Sequence, residues 1–331
     1  MKLAIVGVTG LVGRKMLEIL EKKDIKVEAL FPVASEKSTG KRILFKNKEY
    51  EVISIHEIID KKPEIALFSA GSRISKQWAP QLAEIGCRVI DNSSYWRMSH
   101  KHKLIVPEIN FNDLNLSSNK VCSSDMIIAN PNCSTIQLVI AISEIHKKFK
   151  IKRMIVSTYQ AVSGSGKKAI NQLHNESKSI STKKVYERQI FNNIIPQCDI
   201  FDEDQYTKEE HKIINETNKI LNSKIRITAT AVRVPIENSH SESVNIELVN
   251  NTTTEELIEV LKQTNGVQYM GRANNYYSTP HEATGSDLVY VGRVRRDFSK
   301  DNCFNLWVVS DNLRKGAATN AIQILEKIIN K

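Results

Sequence analysis

The first hydrophobic run, LAIVGV at 3–8, is continuously apolar, the pattern of a strand buried on both faces of a parallel sheet. The next stretch, GLVGRKMLEILEK at 10–22, changes period. Val12, Met16, Ile19 and Leu20 fall on one side of a helix. The alternation then repeats. KVEALFPVAS (26–35) and EIALFSA (64–70) read as strands, SKQWAPQLAEIG as the helix that follows, and CRVIDNSS (87–94) and KLIVPEIN (103–110) as further strands. Strands alternating with helices predict a doubly wound α/β domain.

From about residue 150 the pattern changes. RMIVSTYQAV (153–162), KIRITATAVRVP (224–235), ESVNIELV (242–249) and CFNLWVVSD (303–311) are strand-like, several with period two. That alternation suits a mixed or antiparallel sheet covered on one face. GAATNAIQILEKIINK (316–331) reads as a closing helix. The polar stretch at 163–192 is expected to be mobile or to contact a partner, and no internal repeat is present.

Composition narrows the classes. At 331 residues two domains are expected, with enough apolar content for a sizeable core. No run approaches the roughly 18 apolar residues of a membrane span. The N-terminal MKLAIVGVTGLVG lacks a small-residue cleavage site and runs into a helical pattern, so it reads as the first strand and not as a signal peptide. The cysteines, Cys87, Cys122, Cys133, Cys198 and Cys303, are odd in number and widely spaced, which points to reduced thiols in the cytoplasm. With no CxxC pair, no metal site is expected. The net charge of +10 comes from scattered lysines and arginines, and the densest cluster, GRVRRD at 292–297, is short. Such a surface suits small anionic substrates as well as nucleic acid, and it carries no continuous basic stripe for the latter.

Two stretches carry candidate chemistry. GVTGLVG sets glycines at 7, 10 and 13 between a strand and a helix, a variant of the dinucleotide fingerprint. Turns without Cβ atoms let backbone N–H groups approach a pyrophosphate at a helix N-terminus. Gly7, Thr9, Gly10, Leu11, Val12 and Gly13 are the candidate cradle, and the alternative is a glycine-rich turn that holds nothing. The second strand runs into ASEKSTG, where Ser35, Lys37 and Ser38 suit a 2′-phosphate and favour NADP, while Glu36 opposes it. The other stretch is NPNCST at 130–135. Asn130 and Asn132 suit a tight turn, Pro131 fixes φ, and Ser134 and Thr135 begin a helix. A thiol at a helix N-terminus has a lowered pKa and lies beside N–H groups that stabilise an oxyanion. Cys133 is therefore a candidate nucleophile, the alternative being simple packing under the helix. Among eight histidines, His240 stands out in RVPIENSHSES, between two strand patterns, with Arg233 upstream. Either the pair serves one cleft, with Arg233 binding a carboxylate, or the two make a salt bridge and a cap.

Taken together, GVTGLVG, ASEKSTG, NPNCST, TYQAVSGSG, RVPIENSHSES and DNLRKGAATNAIQI resemble the aspartate-β-semialdehyde dehydrogenase family, in the family's order and across nearly the whole chain. NPNCST followed by RVP and HSE is specific; the glycines alone are not. The resemblance implies NADPH-dependent reduction of L-aspartyl 4-phosphate to aspartate 4-semialdehyde, within lysine (through diaminopimelate), threonine, methionine and isoleucine biosynthesis. Cys133 would form a thioester, His240 would act as acid and base, and Gln160 would orient the acyl-enzyme. Arg233 would bind the substrate carboxylate, Glu209 its ammonium, Arg97 and Lys212 its phosphate, and Asn132 would orient it. Ser163, Gly164 and Asn312 would lie on the nicotinamide side.

The expected architecture is a Rossmann-type doubly wound NADP-binding domain, residues 1–131 with 312–331, plus an α+β catalytic and dimerisation domain with a mixed sheet, residues 132–311. A cytoplasmic homodimer or tetramer is implied, with no nucleic-acid or membrane partner. Three positions depart from the family pattern. Ser239 stands where glycine is frequent, Glu36 enters the 2′-phosphate loop, and Cys198 replaces an apolar residue. The rival readings are an N-acetyl-glutamyl-phosphate reductase and a non-catalytic homologue acting as an interaction protein.

Overall fold

The computed structural model describes residues 1–114, 116, 126–181 and 183–330. Cys122 lies outside the described residues. The chain divides into two compact units, Met1–Pro131 with Ala317–Lys331, and Asn132–Gly316.

The first unit is built on β1 (Lys2–Val6), α1 (Leu11–Glu21), β2 (Ala29–Val33), β3 (Arg42–Phe45), β4 (Lys48–Glu51), β5 (Ile65–Phe68), α2 (Ser72–Glu84), β6 (Arg88–Asp91) and β7 (Ile127–Ala129), with the C-terminal helix Thr319–Ile329 returning to it. Five parallel strands run in the order β2-β1-β5-β6-β7. The continuous apolar run of β1 has a direct cause. Leu3 and Ile5 enter one core with Met16, Ile19 and Leu20 of α1 and Ile322 and Leu325 of the C-terminal helix. Ala4 and Val6 enter the opposite core with Trp78, Ala79 and Leu82 of α2. Each fully buried Leu or Ile contributes about 1.5–3 kcal/mol, so a polar residue at any of these strand positions would weaken a whole layer. This is the doubly wound sheet expected from the alternation.

Two local readings change. KLIVPEIN at 103–110 is not a strand. Leu104 makes one isolated bridge with Ala129, and the chain then turns at Pro107, with the Asn110 side chain accepting from Val106 N–H and donating to the Leu104 carbonyl. Proline removes a ladder donor, and the amide side chain supplies the alternative bonds. Conversely, β3 and β4 form a hairpin that the polar sequence concealed. Lys46 and Asn47 have φ of 47° and 62°, the two positive values that a two-residue type I′ turn requires.

The second unit begins with α3 (Cys133–Phe149), followed by β8 (Ile151–Gln160), α4 (Lys167–Ser177), α5 (Lys208–Ile220), β9 (Arg226–Arg233), β10 (His240–Leu248), α6 (Thr254–Gln263), β11 (Val267–Met270), β12 (Val289–Arg296) and β13 (Cys303–Ser310). Its sheet is mixed, in the order β11-β12-β13-β10-β8-β9. Both outer pairs are parallel and the inner ones antiparallel. Met154, Val156, Thr158 and Gln160 alternate on the buried face of β8. Register then places Gln160 between His240 of β10 and Arg233 of β9.

In the polar stretch at 163–192, expected to be mobile or to contact a partner, residues Val185, Tyr186, Ile190 and Phe191 fold back on α4. Gln172 Oε1 accepts the N–H groups of Val185 and Tyr186, and Glu176 Oε2 accepts those of Ile190 and Phe191. Two long polar side chains replace a sheet ladder as partners for these backbone groups, a signal that neither period nor propensity carries.

Candidate active site

The turn NPNCST ends β7 and opens α3, whose first residue is Cys133 itself. Asn132 is the N-cap, in extended conformation at φ −60°, ψ 147°, and its Oδ1 accepts from Ser134 and Thr135 N–H. An Asn cap of this kind contributes about 1 kcal/mol to the helix. The other end of the same side chain donates Nδ2 to Glu209 Oε1 at 3.0 Å, and the Asn132 backbone N–H donates to Glu216 Oε2 at 2.7 Å. The residue before the thiol is thus held at three points. Gln160 Nε2 donates to Ser134 Oγ at 2.6 Å and to Glu209 Oε1 at 3.2 Å. Behind the thiol, Gly316 passes so close that a Cβ there would lie 2.9 Å from Cys133 Cβ.

Glu209 and Lys212 stand on α5, three residues apart, and pair at 3.1 Å; Lys212 also meets Asp199 at 2.7 Å. Burial alone would raise the Glu209 carboxyl. The Lys212 ammonium, with Asn132 and the Arg233 guanidinium, outweighs it and lowers the group to about 2. Burial likewise works against the Lys212 charge, but Glu209 and Asp199 hold it above the usual lysine range. This is an ion network at low solvent exposure, so it is screened less than a surface pair.

Arg233 is buried at the end of β9, and its Nη1 donates to the Ala161 carbonyl at 2.7 Å. The Tyr186 ring lies against it, with the guanidinium carbon 5.9 Å from the ring centroid. A cavity of about 350 Å³ opens there, lined among others by Arg233, Tyr186, Cys198 and Asp199. Cys198, which stands where the family pattern has an apolar residue, is buried, and burial pushes its thiol up to about 12. His240, at the start of β10, is fully buried. Burial first, then the neighbouring Arg233, bring its imidazole down to about 3, against a smaller upward pull from Ser239. Its Nε2 is buried and has no hydrogen-bond partner among the described residues. Gly164 runs alongside, where a Cβ would come within 3.2 Å of Arg233 Nη1 and 3.5 Å of His240 Nε2.

Structure therefore brings together Cys133, Asn132, Gln160, Glu209, Lys212, Arg233, His240 and Gly164 within one unit. Ser163 and Asn312 bond to each other at 3.0 Å, and Asn312 Oδ1 accepts from Ser239 N–H. These two buried side chains serve each other and the loop that carries His240. Sequence reading missed Ser134, Glu210, Glu216 and Gly316. Glu210 accepts from Thr207 and Ala231 N–H, tying α5 to β9. The available signal was the run of glutamates at apolar-face positions of an amphipathic helix.

In the first unit, Gly7 has φ of 88°, and a Cβ on it would stand 2.3 Å from the Ser69 carbonyl oxygen; one on Gly13 would stand 2.3 Å from the Gly7 oxygen. Gly10 caps α1 without any side-chain bond, and the first turn of α1 holds no acid. The Thr9 carbonyl takes Arg14 Nε, and Leu11 and Val12 are half-buried in the first turn. A backbone cradle open to an anion fits a dinucleotide pyrophosphate. Ser35, Glu36, Lys37 and Ser38 form the exposed turn after β2. Arg97 belongs to this unit, its guanidinium donating to the carbonyls of Asn130 and Asn92.

A doubly wound sheet with this glycine cradle, and a second unit gathering a thiol, an imidazole and a buried ion network, is the equipment of a dinucleotide-dependent oxidoreductase. Residues 2–117 match the family described as semialdehyde dehydrogenase, NAD binding domain, and residues 142–315 the one described as semialdehyde dehydrogenase, dimerisation domain. The aspartate-semialdehyde dehydrogenase of Aquifex aeolicus (strain VF5) is 47% identical over 339 residues, 100% of this chain and 98% of that relative. The crystal structure of aspartate semialdehyde dehydrogenase II from Vibrio cholerae has a TM-score of 0.93 at 41% identity, covering 100% of this chain and 98% of that one. A second structure of that protein, complexed with ASA, has a TM-score of 0.92 at 41% identity over 99% and 98% of the two chains. The chain belongs to the aspartate-semialdehyde dehydrogenase family.

Proposed function

We propose that this chain converts L-aspartyl 4-phosphate and NADPH to L-aspartate 4-semialdehyde, phosphate and NADP⁺, with the unit Met1–Pro131 plus Ala317–Lys331 as the cofactor domain and Asn132–Gly316 as the catalytic and dimerisation domain of a homodimer. The observation that carries the reading is the network of buried Glu209 and Arg233 with half-buried Lys212 in the unit that holds Cys133 and His240. It offers one anion and two cations, and the substrate offers an ammonium, a carboxylate and a phosphate. An acetylated amine would leave the Glu209 charge without a partner, which weighs against the acetylglutamyl substrate.

In this reading, Cys133 Sγ attacks the acyl-phosphate carbonyl. The carbonyl–oxygen bond to phosphate breaks, phosphate leaves with the electron pair, and a thioester remains on sulfur. Gln160, fixed by Ser134 and Glu209, orients the acyl group, and Asn132 holds the turn beneath it. His240 holds its proton at Nε2 and presents it to the oxygen on which charge develops. Arg233 takes the carboxylate, Glu209 the ammonium, and Lys212 the phosphate, with Arg97 assigned to the phosphate by its motif. Gly7, Thr9, Gly10, Leu11, Val12 and Gly13 would hold the pyrophosphate of NADPH, and Ser35, Lys37 and Ser38 its 2′-phosphate; when bound, the cofactor supplies hydride. Ser163, Gly164 and Asn312 shape the nicotinamide side.

The test runs the reaction in reverse, with aspartate semialdehyde, phosphate and NADP⁺, following nicotinamide absorbance. Phosphate-dependent NADPH formation, lost in Cys133→Ala, is expected. Folded protein that turns over only acetylglutamate semialdehyde would move the assignment to that substrate.

A further inference from the structure

Helix α5 buries a stripe at Glu209, Glu210, Ile213, Glu216, Thr217 and Ile220. Three of these six core-facing positions are glutamates, where an amphipathic helix ordinarily sets apolar residues. A buried carboxyl needs hydrogen-bond donors, and each one here finds them. Glu209 serves Asn132 Nδ2, Gln160 and Lys212. Glu210 holds the N-terminus of its own helix and Ala231 of β9. Glu216, two turns beyond Glu209 and 1% exposed, takes the backbone N–H of Asn132 at 2.7 Å.

We infer that Glu216 is a positioning residue for the nucleophile, acting through the Asn132 backbone. This rests on Cys133 being the nucleophile. The Asn132 side chain is already used twice, to cap α3 and to meet Glu209. Those bonds, and the Asn132 carbonyl that accepts Ile136 N–H at 3.0 Å, act on the helix side of the cap and do not hold the Pro131–Asn132 peptide that leads into it. The Glu216 bond holds that Pro131–Asn132 peptide, so the turn is fixed on both sides of Asn132. Two acids seven residues apart on one rigid helix thereby grip one asparagine by side chain and by main chain. Any movement of α5 would carry the thiol-bearing turn and the ammonium-binding Glu209 together, so the distance between them is preserved.

The test compares Glu216→Ala with Glu216→Gln, which keeps an acceptor oxygen of the same reach. For Glu216→Ala, kcat is expected to fall about tenfold to a hundredfold while KM stays within about threefold, as a misplaced reacting group costs rate more than binding. The pH midpoint for alkylation of Cys133 by iodoacetamide is expected to rise by about half a unit, since a loosened turn aims its N–H groups less well at sulfur. Glu216→Gln is expected to keep kcat within about threefold and the wild-type midpoint. A packing role alone would lower thermal stability in both variants without moving either readout. Wild-type kcat and midpoint in Glu216→Ala, or a Gln variant as impaired as the Ala one, would overturn the proposal. Should wild type show no turnover with aspartate semialdehyde, the alkylation profiles still decide the clamp independently of the assigned reaction.

Discussion

Ala161 donates its backbone N–H to Nδ1 of His240 at 3.0 Å, while its carbonyl accepts from Arg233 Nη1 at 2.7 Å. One residue, through the two peptide groups that flank its Cα, thus orients both the imidazole and the guanidinium. An N–H is an obligatory donor, so Nδ1 is the acceptor and the neutral ring carries its proton on Nε2. Gly164, three residues on, approaches that same Nε2. The resting ring is thereby a neutral donor, and the acid/base role expected of His240 begins from the Nε2–H tautomer.

The pH dependence of stability follows with a definite sign. The unfolded histidine takes up a proton near its usual 6.5, while the folded one waits until about 3. Between those values the unfolded state binds more protons, so stability rises with pH and this contribution is complete above 6.5. Denaturant titrations from pH 4 to 7 should show a slope of up to about 1.4 kcal/mol per pH unit from this group. His240→Asn should flatten it and also abolish turnover. An unchanged slope in the variant would show that the imidazole is not held neutral.

Glu209→Gln should lower kcat/KM by about a hundredfold, chiefly through KM, because a neutral amide cannot pair with an ammonium. The carboxylate lies at about 2 in the folded protein and 4.5 when unfolded. Its stabilising contribution is therefore present above pH 4.5 and is lost as pH falls toward 2. Steady-state kinetics with aspartate semialdehyde would check the first point and acid unfolding the second.

Gly316→Ala would bring a Cβ to 2.9 Å from Cys133 Cβ, forcing one of two packed backbones to move. Overpacking of this kind costs about 1–3 kcal/mol. The larger effect should be on kcat, about tenfold or more, because the displaced atom carries the thiol proposed as nucleophile. Wild-type kcat with an intact melting temperature would contradict the contact.

Ser239 has φ of 71°, a left-handed conformation that glycine adopts without steric cost. Serine is tolerated because its N–H reaches Asn312 Oδ1 and its hydroxyl pairs with Thr284 Oγ1, each at 2.8 Å. Ser239→Gly should stay within about 1 kcal/mol of wild type, as relieved strain offsets the lost hydroxyl bond. Ser239→Val should lose about 2 kcal/mol or more, since a branched Cβ resists positive φ. Calorimetry on both variants checks the pair.

Sequence alone determined the features that neighbouring residues impose on one another. The change of period from two to 3.6 marked strands and helices, the glycines at 7, 10 and 13 marked a turn without Cβ atoms, and Asn132 before Cys133 marked a helix start. The chemical types at the site were also legible through their motifs. Local patterns misled where one proline outweighed an apolar run, at 103–110, and where a type I′ turn lay hidden among lysines, at 46–47. Tertiary structure decided what long-range partners do. Sequence could not pair Asn132 with Glu209 and Glu216, 77 and 84 residues away, nor set Ala161 between Arg233 and His240. Nor could it show that burial and Arg233 keep the imidazole neutral while Lys212 keeps Glu209 charged. Those properties depend on desolvation and charge separation, which exist only once sheet register and helix packing have placed distant residues within a few ångströms.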